Sequence, residues 1–278
     1  MVRYFDAHSH IHGKEYDSDR AEVLLRMKEA GVGTITVGTY LESSQKAVQL
    51  AESEPLVWAS VGLHPTDTKN EFDRDAFEEL ARHERVVAIG ECGLDYFRLA
   101  PTSDSESGRV RPEEDSREEK ERQKKIFLEQ VELSLAVNKP LMIHCRPSGK
   151  SMDAHEDMLS ILESRSDNVL RGNIHFFTGT LEVAKRYIDL GFSLSFPGVV
   201  TFTHEYDDLV RNLPLDWIIS ETDAPYASPV PFRGKRNEPV YVVETVKHLA
   251  SLRGDTEEVL SKAILKNVEN VFGIKTTP

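Results

Sequence analysis

The residues able to do chemistry stand where short apolar runs end. The first run closes with Phe5-Asp6-Ala7-His8-Ser9-His10. Alternate residues of a strand share a face, so His8 and His10 point the same way. Asp6 shares that face and is placed to orient a ligand imidazole from behind. Glu91 follows Ile89-Gly90, His144 follows Met142-Ile143, His175 follows Asn173-Ile174, and Glu221 and Asp223 follow Ile219-Ser220. Taken singly, each has an ordinary reading: a carboxylate after a strand commonly caps the next helix. Gathered in one pocket, they would repel and desolvate badly without cations. Imidazole with carboxylate suits Zn²⁺ or Mn²⁺, and Mg²⁺ where carboxylates and waters dominate. Four imidazoles and two of the carboxylates make six ligands, more than one tetrahedral ion uses, which makes two divalent ions the expectation. His64, in Val61-Gly62-Leu63-His64-Pro65, either contacts substrate or an activated water, or fixes the turn before Pro65. His12, His83, His155, His204 and His248 fall on helical or loop segments and are expected to be solvated. Cys92 and Cys145 each follow a candidate ligand by one residue, so a strand turns them away from the site as buried fillers.

Eight apolar runs must position these groups. They are Val2 to Phe5, Gly33 to Val37, Val57 to Val61, Val86 to Ile89, Leu141 to Ile143, Asn173-Ile174, Phe192 to Ser195 and Trp217 to Ser220. Amphipathic stretches separate them: Asp19 to Ala30, Leu41 to Ser53, Asp73 to His83, Lys120 to Val137, His155 to Ser164 and Leu181 to Leu190. Two more follow the last run, Pro239 to Leu252 and Thr256 to Phe272. Gly33 and Gly191 are placed to end helices before the next strand. Strand–helix alternation of this length predicts a parallel α/β sheet, and closing eight strands gives a (β/α)8 TIM barrel. An open doubly wound sheet is the alternative that alternation leaves standing. In a barrel all C-terminal strand ends converge on one mouth. Ala100 to Glu119 is polar, acidic and rich in Ser and Pro, and reads as a long loop or insertion. The expected organisation is one barrel domain over 1–278 with an acidic insertion at about 100–119.

Composition excludes other classes. With 278 residues, 39% hydrophobic, 12 Phe, 8 Tyr and 2 Trp, the chain holds a large core and is not disordered. No apolar run approaches the roughly 18 to 20 residues of a membrane span. The start MVRYFDAHSH lacks a basic region followed by an apolar one, so no secretory signal is read. Two cysteines favour a reducing cytosol over a disulfide scaffold. The expectation is a cytoplasmic protein with neither a membrane nor an obligate protein partner. Lys and Arg number 34 against 47 Asp and Glu, a net charge of −13. Nucleic acid can therefore bind only where local cations overcome the global field.

Seven stretches together resemble the TatD family of metal-dependent deoxyribonucleases, within the amidohydrolase-like barrels. They are FDAHSH at 5–10, VGLHP at 61–65, IGECGLDYF at 89–97, IHCRPS at 143–148, HFFTG at 175–179, ETDAPY at 221–226 and RGKRNEP at 233–239. The resemblance implies a metallo-dependent hydrolase barrel with His8, His10, Glu91, His144, His175 and Asp223 as metal ligands. It implies two divalent ions bridged by Glu91, with His8 and His10 on one and His144 and His175 on the other. Asp223 and Glu91 are then the catalytic carboxylates, and Asp223 orients or deprotonates the attacking water. The implied reaction is phosphodiester hydrolysis, 3′-5′ exonuclease-like, on short or single-stranded DNA ends. Arg146, Arg233, Lys235 and Arg236 are the expected phosphate contacts, with His64 beside them. Tyr226, Phe176 and Phe232 could stack a base. The alternative is a deacylase acting on an ester or amide such as D-aminoacyl-tRNA. The chain departs from the family at Ala100 to Glu119 and in PSGKSMDAHED after Arg146, where the family has shorter connections.

Overall fold

The computed structural model describes residues 2–97, 99, 113–165 and 170–276. Eight strands alternate with helices in chain order: β1 (Tyr4–Ser9), α1 (Arg20–Ala30), β2 (Val32–Val37), α2 (Leu41–Ser53), β3 (Val57–Val61), α3 (Arg74–Ala81), β4 (Val86–Asp95) and α4 (Glu113–Val137). There follow β5 (Leu141–Arg146), α5 (Asp153–Glu163), β6 (Gly172–His175), α6 (Leu181–Asp189), β7 (Phe192–Phe196), α7 (Asp207–Asn212), β8 (Ile218–Ser220), α8 (Val242–Arg253) and α9 (Glu257–Phe272). The strands form one sheet in sequence order, every pair parallel. A parallel Ser9–Ala224 bridge and the Ser220 hydroxyl donating to the Phe5 carbonyl bring the last strand back to the first. This is the expected (β/α)8 barrel.

Alternation along the strands divides core from lumen. On β7, Phe192 packs on Tyr187 of α6 and Phe196 on Tyr206, so Ser193 and Ser195 point inward. There the Asn173 amide donates to the Ser195 hydroxyl at 2.7 Å, and the Ser193 hydroxyl donates to the Asn173 carbonyl oxygen at 2.9 Å. These buried lumen side chains are thus paired with one another, as burial favours. Three helix starts carry side-chain caps: Asp73 accepts from the Ala76 amide, and Thr180 and Thr256 from the Val183 and Val259 amides. Each such cap contributes about 1 kcal/mol.

The elements differ from expectation at their ends. β1, β4 and β5 extend past their apolar runs, so His8, Glu91 and His144 lie inside strands rather than after them. Polar ligands break the apolar pattern, but the ladder continues because the barrel mouth remains packed. Gly31, at φ 70°, ends α1, whereas Gly33 lies inside β2. A Cβ on Gly33 would meet the Phe5 and Trp58 rings at 3.1 and 3.2 Å. Gly191, at φ 86°, does precede β7. The segment expected as a loop over 100–119 is helix from Glu113 onward, because its Glu, Arg and Lys are good helix formers without apolar periodicity. The remainder of that expectation, at 100–112, lies outside the described residues. After Arg146 the chain enters α5 at Asp153, so much of the supposed extension there is helix. The short α7 was not foreseen.

Candidate metal centre

The six expected ligands converge at the C-terminal mouth. Glu91 stands at the centre, 4% exposed, and its two oxygens face different imidazoles. Oε2 is 3.5 Å from His8 Nε2 and 3.8 Å from His10 Nε2. Oε1 is 3.0 Å from His144 Nδ1 and 3.3 Å from both His175 Nε2 and His64 Nε2. Asp223 Oδ1 closes the first group, 3.7 Å from His10 Nε2 and 3.9 Å from His8 Nε2. Metal–ligand bonds of roughly 2.0–2.2 Å place neighbouring donors about 3 to 3.5 Å apart. The spacings here and the imidazole–carboxylate donor set fit divalent ions.

Local backbone rules explain the convergence. β5 and β6 pair His144 directly with His175. β4 must come unusually close to β5 to bring Glu91 to His144. A Cβ on Gly93 would meet the His144 carbonyl oxygen at 2.0 Å, and one on Gly90 the Met142 carbonyl oxygen at 2.2 Å. Both glycines also hold positive φ, 140° and 146°, where a side chain is strained. Asp223 is a non-glycine residue at φ 55°, with its amide donating to the His8 carbonyl at 2.9 Å. Such a conformation costs on the order of 1–3 kcal/mol and marks a residue aimed for a purpose.

Behind these candidate ligands the rings of His10, His175 and His144 meet further partners. His10 Nδ1 donates to the Val37 carbonyl at 2.8 Å. His175 Nδ1 is 3.2 Å from Glu221 Oε1, and Glu221 also accepts from the Phe176 amide and the Ser195 hydroxyl. His144 Nε2 is 3.0 Å from Asp95 Oδ2. Carboxylates behind ligand imidazoles fix the tautomer and ring orientation. Among the described residues His8 Nδ1 is buried without a hydrogen-bond partner. Asp95 was missed in the sequence because the strand was ended before it. Four residues beyond Glu91 on one strand, it shares that face. Asp6, in contrast, does not orient an imidazole. It accepts from the Thr222 amide and hydroxyl at 2.7 Å each and ties β1 to the chain after β8.

The charge state follows from this packing. Burial alone would raise Glu91, but the imidazoles of His64, His8, His144 and His175 hold it well below the usual carboxylate range. Burial would also raise Asp223, and His10, His175 and His8 reverse it. Burial would lower His175, yet Glu221 and Glu91 hold it well above the ordinary imidazole value. Desolvation prevails at His8, which is lowered. Glu91 and Asp223 are therefore held ionised, the state in which a carboxylate binds cations.

A cleft of about 1480 Å³ opens over the centre, with His10, His64, Glu91, His144, Arg146, His175, Phe176, Asp223 and Tyr226 among its lining residues. His64 Nδ1 also pairs with the Thr66 hydroxyl, so it both fixes the turn and reaches the centre. Arg146 lies flat on Phe97, 3.8 Å from the ring centroid. Tyr226 is 59% exposed beside His10. Arg233 lies over Phe202, Lys235 near Phe232, and Arg236 forks onto Asp19 at 2.6 and 2.8 Å; none of these three lines the cleft. Phe232 stacks on Tyr241 instead. Two histidines expected in solvent are buried: His12 between Thr36 and Ser43, and His155 against Tyr187. Cys92 and Cys145 are free and buried, and burial pushes both thiols up. Among the described residues no helix is long and apolar enough to cross a membrane.

A parallel barrel with imidazoles and carboxylates gathered at its strand ends is the architecture of a metal-dependent hydrolase. Residues 5–273 match the family described as TatD related DNase. A Bacillus subtilis (strain 168) protein called uncharacterized metal-dependent hydrolase YabD is 35% identical over 275 residues, covering 97% of this chain and 99% of its own. The 3'-5' ssDNA/RNA exonuclease TatD of Escherichia fergusonii is 32% identical over 280 residues, covering 97% and 99%. The solved structure of YJJV, a TatD homolog from Escherichia coli K12, superposes with a TM-score of 0.81 at 26% identity, covering 99% of each chain. The chain belongs to the TatD-related DNase family of metal-dependent hydrolases.

Proposed function

We propose that this protein is a two-metal phosphodiesterase that shortens single-stranded DNA from its 3′ end. The observation that carries this reading is Glu91. One oxygen faces His8 and His10, the other faces His144 and His175, an arrangement in which Glu91 would serve two divalent ions held by these side chains. Asp223 stands at the open side of the first group. Mg²⁺, Mn²⁺ or Zn²⁺ bound there would neutralise phosphate charge and acidify the attacking water. Asp223 Oδ1, held ionised by its imidazole neighbours, would be the group to accept the proton of that water. Glu221 and Asp95 hold the His175 and His144 rings in place. Arg146 presents a guanidinium with no carboxylate in salt-bridge reach among the described residues, suited to a phosphate. Tyr226 offers a ring at the mouth on which a terminal base stacks. Arg233 and Lys235 rest on Phe202 and Phe232 outside the cleft, and Arg236 supports the loop through Asp19. Two free, buried thiols suit a reducing cytosol. The relative named as a 3'-5' ssDNA/RNA exonuclease supports the substrate class.

The test uses purified protein with each metal, a 5′-labelled single-stranded oligonucleotide with free or blocked 3′ end, and D-aminoacyl-tRNA. Stepwise shortening that requires a free 3′ end is expected. Deacylation of the tRNA with the oligonucleotide left intact would overturn the proposal.

A further inference from the structure

The cleft does not end at the metal centre. It continues along α2 as a trough whose wall is one face of that helix: Ser43, Lys46, Gln49, Leu50 and Ser53. Their spacing places them on contiguous turns of a single side. At 1.5 Å per residue, Ser43 to Ser53 spans about 15 Å. Lys14, from the segment after β1, also lines the cleft. The whole volume, about 1480 Å³, exceeds the roughly 300–1,000 Å³ of small-molecule sites. A ligand that fills it is extended and leads away from the reacting atoms.

Away from the metal centre Lys14, Arg20, Lys46 and Lys69 outnumber Glu15, Asp17 and Asp67 in the lining, and Arg20 holds Asp17 at 2.6 Å, so the trough suits a polyanionic strand. Gln49 offers a neutral hydrogen-bonding group for sugars and phosphates, Leu50 an apolar patch, and Lys14 and Lys46 charge, while the buried Ser43 hydroxyl is held by His12 and the Ser53 hydroxyl donates to the Leu50 carbonyl. Lys46 pairs with Glu42 at 2.7 Å, but both side chains are more than half exposed, so that pair is weak and yields readily to phosphate. At about 3.4 Å per stacked nucleotide the trough accepts roughly four. We propose that the α2 trough binds the body of a single-stranded nucleic acid whose end lies at the metal centre. This rests on the phosphodiesterase reading above and adds the path of the strand.

The test compares binding of phosphorothioate-linked thymidine octamer and dimer, both resistant to hydrolysis, to the full chain by fluorescence anisotropy. Variants Lys46→Gln and Gln49→Trp change exposed positions away from the core. Lys46→Gln is expected to reduce the slope of log K against log salt for the octamer by about 0.7. Gln49→Trp is expected to weaken the octamer roughly tenfold. Neither should change dimer binding or hydrolysis of bis(4-nitrophenyl) phosphate. Equal affinity of wild-type protein for octamer and dimer, or equal effects of the variants on both, would overturn the trough while leaving metal-dependent hydrolysis standing. Length-dependent octamer binding without hydrolysis of any phosphodiester would support the trough and sink the proposed activity instead.

Discussion

Asp95 gives the sharpest mutational prediction. His144 can ligate an ion only through a nitrogen that carries no proton. Its Nδ1 faces Glu91 Oε1 at 3.0 Å, so the proton belongs on Nε2, which donates to Asp95 Oδ2 at 3.0 Å. Asp95 Oδ1 meanwhile accepts from the Phe97 amide at 3.1 Å. In Asp95→Asn the carboxamide has one oxygen for these two donors. If the oxygen stays on Phe97, the amide nitrogen faces Nε2 and drives the His144 proton onto Nδ1, toward the ions. If it flips, two buried donors confront each other, at about 1–3 kcal/mol. Either way metal affinity falls roughly 10- to 100-fold, the usual range for partners behind ligand imidazoles. Competition against a fluorescent chelator measures it. Melting with and without metal separates ligation from folding, since the metal-bound form should lose much more than the metal-free form. An Asp95→Asn protein that binds metal within about twofold of wild type would refute this reasoning.

Other expectations rest on separate features. Asp223→Asn should lower kcat roughly 10²- to 10⁴-fold with an unchanged circular dichroism spectrum, and near wild-type turnover would reject its role as proton acceptor. Gly93→Ala places a Cβ 2.0 Å from the His144 carbonyl oxygen, so β4 and β5 must part. We expect about 3 kcal/mol of destabilisation, a melting temperature lower by roughly 6–12 °C, and weaker metal binding. His155 is buried, and burial lowers its imidazole to about 4. The unfolded chain takes up this proton below about pH 6.5 while the folded chain does not, so stability present above 6.5 is lost as pH falls toward 4. Between pH 7 and 5, wild type should lose about 2 kcal/mol more than His155→Phe in urea titrations, and parallel losses would contradict the assignment.

The barrel was legible because short apolar runs, most of them with β-branched residues, alternate with helical stretches. All six proposed ligands were legible because each ends an apolar run that the fold carries to one mouth. What escaped was the continuation of strands through polar residues. Ending the fourth strand at Ile89 hid Asp95, which shares a face with Glu91 only if β4 runs on. The basic cluster at 233–236 read as one patch, yet the Arg236 guanidinium is engaged by Asp19, a pairing between distant parts of the chain that no local pattern reveals. His12 and His155 looked solvated because their partners, Thr36 with Ser43 and Tyr187, come from other elements. The α2 trough was equally hidden, since Lys46, Gln49 and Ser53 look like an ordinary exposed helix face until the cleft is seen beside them.

Anomalous diffraction from crystals grown with Mn²⁺ tests the centre most directly. The account predicts two peaks about 3.5–4 Å apart with Glu91 between them. One should lie against His8, His10 and Asp223, and the other against His144 and His175. Manganese bound elsewhere, with no peak touching Glu91, would contradict it.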